Sequence, residues 1–285
     1  MSEERNGRPV NEICGAVAML VEESSEQQNS LSSSLFTTEE VEFFHTNGYV
    51  IVRGLAPDHL RERMITVTRY GLQRRVEPIE LESELQYPGA PVTPHAEGGE
   101  TIRRLKQALS RDIVFTDWVL YPPLLNRIKQ LVGPEVVCPL AHHNCIMTKE
   151  ARFSSDTGWH QDVRYWAFKQ PELVNAWLAL GPERKENGCL QVIPGSHRMA
   201  LPPTSFDAAK FYRSDLPENE PVLNQRVLVE LNPGDVLFFH ARTLHAATRN
   251  YSDQTKYSVV FTFRSADNPP VTGTRSSRSP EMLLH

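Results

Sequence analysis

Two histidines and a carboxylate stand in this chain at spacings suited to holding a metal ion. His160 and Asp162 lie two residues apart in Thr157-Gly158-Trp159-His160-Gln161-Asp162. In an extended strand that spacing points both side chains to one face. A second histidine is available at the end of Val236-Leu237-Phe238-Phe239-His240-Ala241-Arg242-Thr243-Leu244-His245. Two imidazoles and one carboxylate on one face of an octahedral ion leave the opposite face open, the arrangement non-haem Fe(II) oxygenases use to hold a co-substrate and O₂ together. The set selected here is His160, Asp162 and His245, with His240 competing for the second histidine position. His142 and His143 are adjacent, so on a strand they face opposite ways and cannot share one ion without a bulge.

The elements that must position these residues are short. From about residue 135 the chain runs in β-branched and aromatic segments broken by Pro, Gly, Asn and Asp: Val136-Val137-Cys138, Cys145-Ile146-Met147, 173–180, 190–193, 227–231, 236–239 and 257–263. Seven or more strands at this spacing predict a sandwich or barrel. Asn232-Pro233-Gly234-Asp235 carries the type II turn signature and joins two strands ahead of His245. Upstream, Thr37 with Glu40 three residues on makes a capping box that opens a helix, and Gly48 stops it. A strand over 49–52, a helix over 57–72, an irregular segment to about residue 99 and helices across 100–132 follow. The long connections 77–99 and 201–221 are of the kind that form pocket walls. The basic, Ser-rich 273–280 segment is a candidate to close over the pocket. Residues 1–34 are polar and Ser-rich and read as a flexible tail, leaving 35–285 as one catalytic domain.

Composition sets the outer bounds. A net charge of -5, with Lys and Arg spread along the 285 residues, gives no electrostatic footprint for nucleic acid or an anionic membrane, so a small-molecule partner is expected. Cys14, Cys138, Cys145 and Cys189 lie far apart, which fits reduced core thiols and neither a zinc site nor a disulfide framework. There is no apolar run of membrane-spanning length, and Met1-Ser2-Glu3-Glu4 is acidic where a secretory signal is basic, so cytoplasmic residence is expected.

His160-Gln161-Asp162, the run Asn187-Gly188-Cys189-Leu190-Gln191-Val192-Ile193-Pro194-Gly195-Ser196-His197, Pro233-Gly234-Asp235 and His245, with Asn47-Gly48-Tyr49-Val50-Ile51-Val52 upstream, resemble the phytanoyl-CoA dioxygenase family of Fe(II)- and 2-oxoglutarate-dependent oxygenases. The resemblance spans roughly residues 37 to 270, with the motifs in order. It implies a mainly β fold with helical additions: a double-stranded β-helix, or jelly roll, over about 135–265 with helices packed on one sheet. It favours His245 over His240 and implies Fe(II), 2-oxoglutarate and O₂ as cofactor and co-substrates, with hydroxylation of a small molecule and decarboxylation of 2-oxoglutarate to succinate and CO₂.

The family usually places an arginine about eleven residues beyond the second ligand histidine to meet the far carboxylate of 2-oxoglutarate. Here that count reaches Lys256, a compact point charge where arginine would grip with two parallel hydrogen bonds. Ser258, on the same strand face, is expected to share the carboxylate. Arg249 and Arg264 are the fallbacks. Trp177 matches a family tryptophan near the co-substrate, and Asn144 is expected on a strand facing the pocket. Arg164, two beyond Asp162, is expected on the ligand face as a partner for an acidic substrate. The rival for Lys256 is a solvent-facing lysine on an edge strand. Related halogenases have Gly or Ala at the carboxylate position, so Asp162 implies hydroxylation. Two readings from other classes compete: a cupin-like hydrolase or isomerase using the metal without O₂, and a non-catalytic barrel acting as a binding module.

Overall fold

In the computed structural model, residues 34–285 are described. The expected tail lies outside them except for Ser34. The first helix, α1 (Thr38–Asn47), opens on the capping box: the Thr37 side chain accepts from the Glu40 amide while the Glu40 carboxylate takes the Thr37 N–H. It closes at Gly48, whose φ of 77° suits glycine.

Strand β1 (Tyr49–Val52) follows and pairs with β10 (Val236–His240). The large antiparallel sheet continues from β10 to β7 (Leu173–Ala179), β12 (Lys256–Ser265), β5 (Asn144–Lys149), β3 (Ile102–Lys106) and β2 (Ile79–Leu81). It is extended by β4 (Val136–Pro139) on the far half of β12 and by β13 (Glu281–Leu284) on β4. A second sheet runs β6 (Thr157–His160), β11 (His245–Ala247), β8 (Leu190–Val192), β9 (Val227–Val229).

Alternation along the strands divides the large sheet into two faces. Val174, Ala176 and Leu178 of β7, Val236 and Phe238 of β10, and Val259, Phe261 and Phe263 of β12 pack in one apolar cluster with helix residues. Those are Met64 of α2 (Asp58–Gln73), Phe115 and Trp118 of α4 (Ile113–Val119), and Leu124 and Ile128 of α5 (Pro122–Val132); a one-turn α3 (Glu82–Leu85) precedes α4 in the chain. The opposite face carries Trp177, Leu237, Phe239 and Val260, which pack with Leu190, Val192, Val229 and Ala247 of the small sheet. Two sheets facing one another with helices behind the larger one make the jelly roll that the family resemblance implied.

Two expectations need correction. Residues 102–106 form β3, not part of a helix; Ile102 and Leu105 are buried, and the segment takes its place beside β5 through backbone pairing. Segment 77–99 is also less irregular than its prolines suggested, because it contains β2, which pairs with β3. Cys138, Cys145 and Cys189 are buried free thiols; Cys14 lies outside the described residues. Among the described residues no helix is long and apolar enough to cross a membrane.

Candidate active site

His160 is the last residue of β6, and His245 opens β11 directly opposite it in the antiparallel register. Each imidazole is turned the same way by a backbone carbonyl: His160 Nδ1 lies 2.8 Å from the Gly158 oxygen and His245 Nδ1 2.9 Å from the Thr243 oxygen. A carbonyl can only accept, so both Nδ1 atoms carry the proton and both Nε2 lone pairs are left for a metal. These Nε2 atoms lie 3.7 and 3.8 Å from Asp162 Oδ1, and the three ligand atoms fall within 4.8 Å of one another.

Asp162 is not on the strand. β6 ends at His160, and Asp162 begins a single 3₁₀ turn over Asp162–Tyr165. The i, i+2 spacing brings the two groups together across the strand end, although the uninterrupted strand that motivated it is absent. The same turn removes Arg164 from the ligand face. Its guanidinium lies 4.3 Å from the Tyr165 ring centre and 3.7 Å from that of Phe211, stacked on these rings, and Arg164 itself does not line the cavity.

The other oxygen of Asp162 accepts from Asn175 Nδ2 at 2.8 Å, and Asn175 in turn accepts from the Thr262 hydroxyl at 2.6 Å. Burial raises the Asp162 carboxyl, but His143, His245, His160 and the Asn175 bond together outweigh it and hold the group below its ordinary range. Burial, reinforced by the neighbouring His245, pushes His160 down to about 3, so it stays neutral as a ligand must. Asn175→Ala should therefore weaken Fe(II) binding by roughly 10- to 100-fold, the usual cost of losing a group that orients a metal ligand. Calorimetric titration of the metal-free variant measures it, and an unchanged affinity would remove Asn175 from the centre.

A cavity of about 250 Å³ opens from the three ligands. The large sheet forms its floor with Trp177, Lys256, Ser258 and Met147, and Arg104, Tyr87, Tyr165 and Trp166 also line it. Lys256 is not on an edge. β12 lies between β5 and β7, and Lys256 is buried. The fallback arginines are engaged elsewhere: Arg249 pairs with Asp156 at 2.7 Å and Arg264 with Glu281 at 2.5 Å. Ser258 shares the Lys256 face, as period 2 required, and both meet the carboxylate of Glu183.

Asn144 faces the other way. Its side-chain oxygen accepts from the Leu109 amide on the helix side, while Cys145, Met147 and Lys149 take the cavity side of β5. His240 bonds to Glu172 at 3.0 Å and accepts from the Arg242 amide, so its ring is occupied outside the centre.

Several cavity groups were set aside in the sequence reading or, like Arg104, ranked below Arg164 as partners for an acidic substrate. His143 lies in a turn ahead of β5, where strand alternation does not apply, and its Nε2 sits 3.7 Å from Asp162 Oδ1. His142 also lines the cavity, its Nε2 2.9 Å from the Ser276 hydroxyl. Arg104 lines it from β3, with Nε 3.4 Å from Glu80. Lys149 is pushed well below the usual lysine range by burial, with Arg103 and Lys256 adding to it.

The model of the family described as phytanoyl-CoA dioxygenase matches residues 44–258, which takes in the ligand set and the floor of the cavity. This chain belongs to the phytanoyl-CoA dioxygenase family. A probable phytanoyl-CoA dioxygenase of Caenorhabditis elegans is 24% identical over 245 residues, covering 82% of this chain and 77% of that protein. The peroxisomal phytanoyl-CoA dioxygenase of Homo sapiens is 25% identical over 251 residues, covering 84% and 72%. In three dimensions the fold is similar to that of the epimerase SnoN in complex with Fe³⁺, α-ketoglutarate and nogalamycin RO, with a TM-score of 0.66, 22% identity, and 82% and 86% of the two chains covered. The phytanoyl-CoA dioxygenase family consists of 2-oxoglutarate-dependent oxygenases whose cofactors are Fe(II), 2-oxoglutarate and O₂. The two free imidazole nitrogens and the held carboxylate fit the iron.

Proposed function

We propose that the protein is an Fe(II)- and 2-oxoglutarate-dependent dioxygenase that hydroxylates a small-molecule substrate, with His160, Asp162 and His245 as iron ligands and Lys256 meeting the far carboxylate of 2-oxoglutarate. The observation that carries this reading is the convergence of two Nε2 lone pairs and one Asp162 oxygen in the lining of a cavity that also holds a buried lysine. When bound, iron with 2-oxoglutarate and O₂ supplies the oxidative decarboxylation and the oxidant that places a hydroxyl on carbon.

The protein's part is placement and exclusion. Asn175 keeps Asp162 turned toward the imidazoles, and Thr243 and Gly158 keep the imidazoles turned toward Asp162. Asp162 fills the position that related halogenases leave open for chloride, which favours hydroxylation; a chlorinated product would remove that step. A cavity of about 250 Å³ suits a small substrate and not a folded macromolecule.

The test is an anaerobic titration of the Fe(II) protein with 2-oxoglutarate, following the weak visible charge-transfer band of the chelate. Wild type should develop the band. Lys256→Ala should need roughly 10- to 100-fold more 2-oxoglutarate, since a hydrogen bond to a charged group contributes about 1.5–3 kcal/mol. If iron is bound and no band forms, the oxygenase reading loses its co-substrate and the cupin-like alternative takes its place.

A further inference from the structure

The floor of the cavity is already holding a carboxylate of the protein's own. Glu183 is fully buried, and three of the floor's polar groups close on it. Lys256 Nζ lies 2.9 Å from its Oε2, the Ser258 hydroxyl donates to its Oε1 at 2.6 Å, and the Trp177 indole N–H donates to the same oxygen at 2.8 Å. The Glu183 backbone is fixed as well, exchanging both its hydrogen bonds with Leu231 at 2.9 and 3.1 Å. With its backbone paired and both carboxylate oxygens bonded, Glu183 has a defined place beneath these groups.

From these contacts we infer that Glu183 is an internal competitor for the far carboxylate of the 2-oxo acid and sets the enzyme's selectivity among 2-oxo acids. The inference rests on the proposed role of Lys256. A hydroxyl has one proton and an indole one N–H, so Ser258 and Trp177 have no donor left to offer while they hold Glu183. Only the remaining N–H groups of Lys256 stay available, and the cation they belong to is already paired. An incoming carboxylate meets a paired charge in place of a bare one, and a second anion beside Glu183 is repelled. A 2-oxo acid without the far carboxylate escapes that repulsion. The nearby Lys149 gives little compensation: one of its three N–H groups is spent on the Ser155 carbonyl at 2.8 Å, and burial, with Arg103 and Lys256 beside it, disfavours its charged form.

The experiment titrates the anaerobic Fe(II) protein, wild type and Glu183→Gln, with 2-oxoglutarate and with 2-oxobutyrate, which chelates iron alike but ends in a methyl group. In the variant the amide oxygen can still accept from Trp177 and Ser258, while Lys256 loses its counter-charge. Wild type should hold 2-oxoglutarate no more than about tenfold tighter than 2-oxobutyrate, whereas Glu183→Gln should tighten 2-oxoglutarate by about tenfold or more and leave 2-oxobutyrate nearly unchanged, as removal of a like charge requires.

The wild-type ratio stands as a test even if the variant does not fold. A wild-type preference of about a hundredfold or more for 2-oxoglutarate overturns the inference, because it requires an unopposed cation. So does a variant that binds 2-oxoglutarate more weakly, or one in which both acids shift alike, since that is what a purely structural Glu183 would give. Bands that form with unchanged selectivity sink this inference alone. The absence of a band with either acid, iron being bound, takes down the co-substrate assignment and this inference together.

Discussion

His245→Ala is expected to give a folded protein that binds Fe(II) far more weakly than wild type and forms no 2-oxoglutarate chelate. The residue opens β11, where its backbone pairs with both β6 and β8, so replacing the ring leaves the ladder intact. The ring itself supplies one of two Nε2 atoms freed for metal by a carbonyl at Nδ1. Its loss should exceed the roughly 10- to 100-fold typical of a residue that only orients a ligand, such as Asn175. His143 is the nearest possible stand-in, with Nε2 3.7 Å from the same Asp162 oxygen. Calorimetry on His245→Ala and His143→Ala side by side decides between them. Retained iron affinity in the first with loss in the second would replace His245 by His143 in the ligand set.

Arg103→Met should destabilise the fold by about 3–5 kcal/mol, the cost of leaving a buried charge without its partner. Arg103 and Glu82 are both buried, and Arg103 Nη1 lies 3.2 Å from the carboxylate. The same guanidinium donates to Ser155 at 2.9 Å and to Thr157 at 2.8 Å, so it ties β3 of the large sheet to the start of β6, which carries His160. Urea unfolding of the metal-free protein measures the loss. Adding Glu82→Leu should recover much of it, because the uncompensated carboxylate disappears with its partner. A single variant within about 1 kcal/mol of wild type would show that the cluster is solvated, contrary to its burial.

What the sequence made legible was local. The His160 and Asp162 spacing survives because two residues cover the same short distance across a strand end as along a strand. The Thr37 capping box and the left-handed Gly48 are fixed by neighbours in the chain and appear where the sequence places them. Asn144 was misplaced by one step of alternation: strand β5 begins at Asn144, and it is the odd-numbered residues that face the cavity.

The strand at 102–106 was hidden because Arg103 and Arg104 carry no β signature; their place in the sheet comes from ion pairs, buried for Arg103 with Glu82 and partly exposed for Arg104 with Glu80, and from β5 alongside. Glu183 could not have been found by spacing at all. It meets Lys256 across 73 residues and Ser258 across 75, and the sequence around it, Gly181-Pro182-Glu183-Arg184-Lys185, reads as an exposed charged turn. His143 was set aside by a rule for strands that its turn does not obey.

The large sheet draws together strands far apart in the chain. Tyr49 pairs with Phe239, and Met282 pairs with Cys138, while Ser276 bonds to His142 and to the Ala167 amide beside the cavity. During synthesis from the N-terminus, the first strand has no neighbour until almost two hundred further residues have been made. The wall around the iron ligands waits longer still, for the 276–284 stretch. Contacts of such separation form slowly and together. A ribosome-bound chain is thus held back from completing the pocket until the 276–284 stretch has emerged, which limits the time in which a half-built pocket could take up iron and expose it to oxygen.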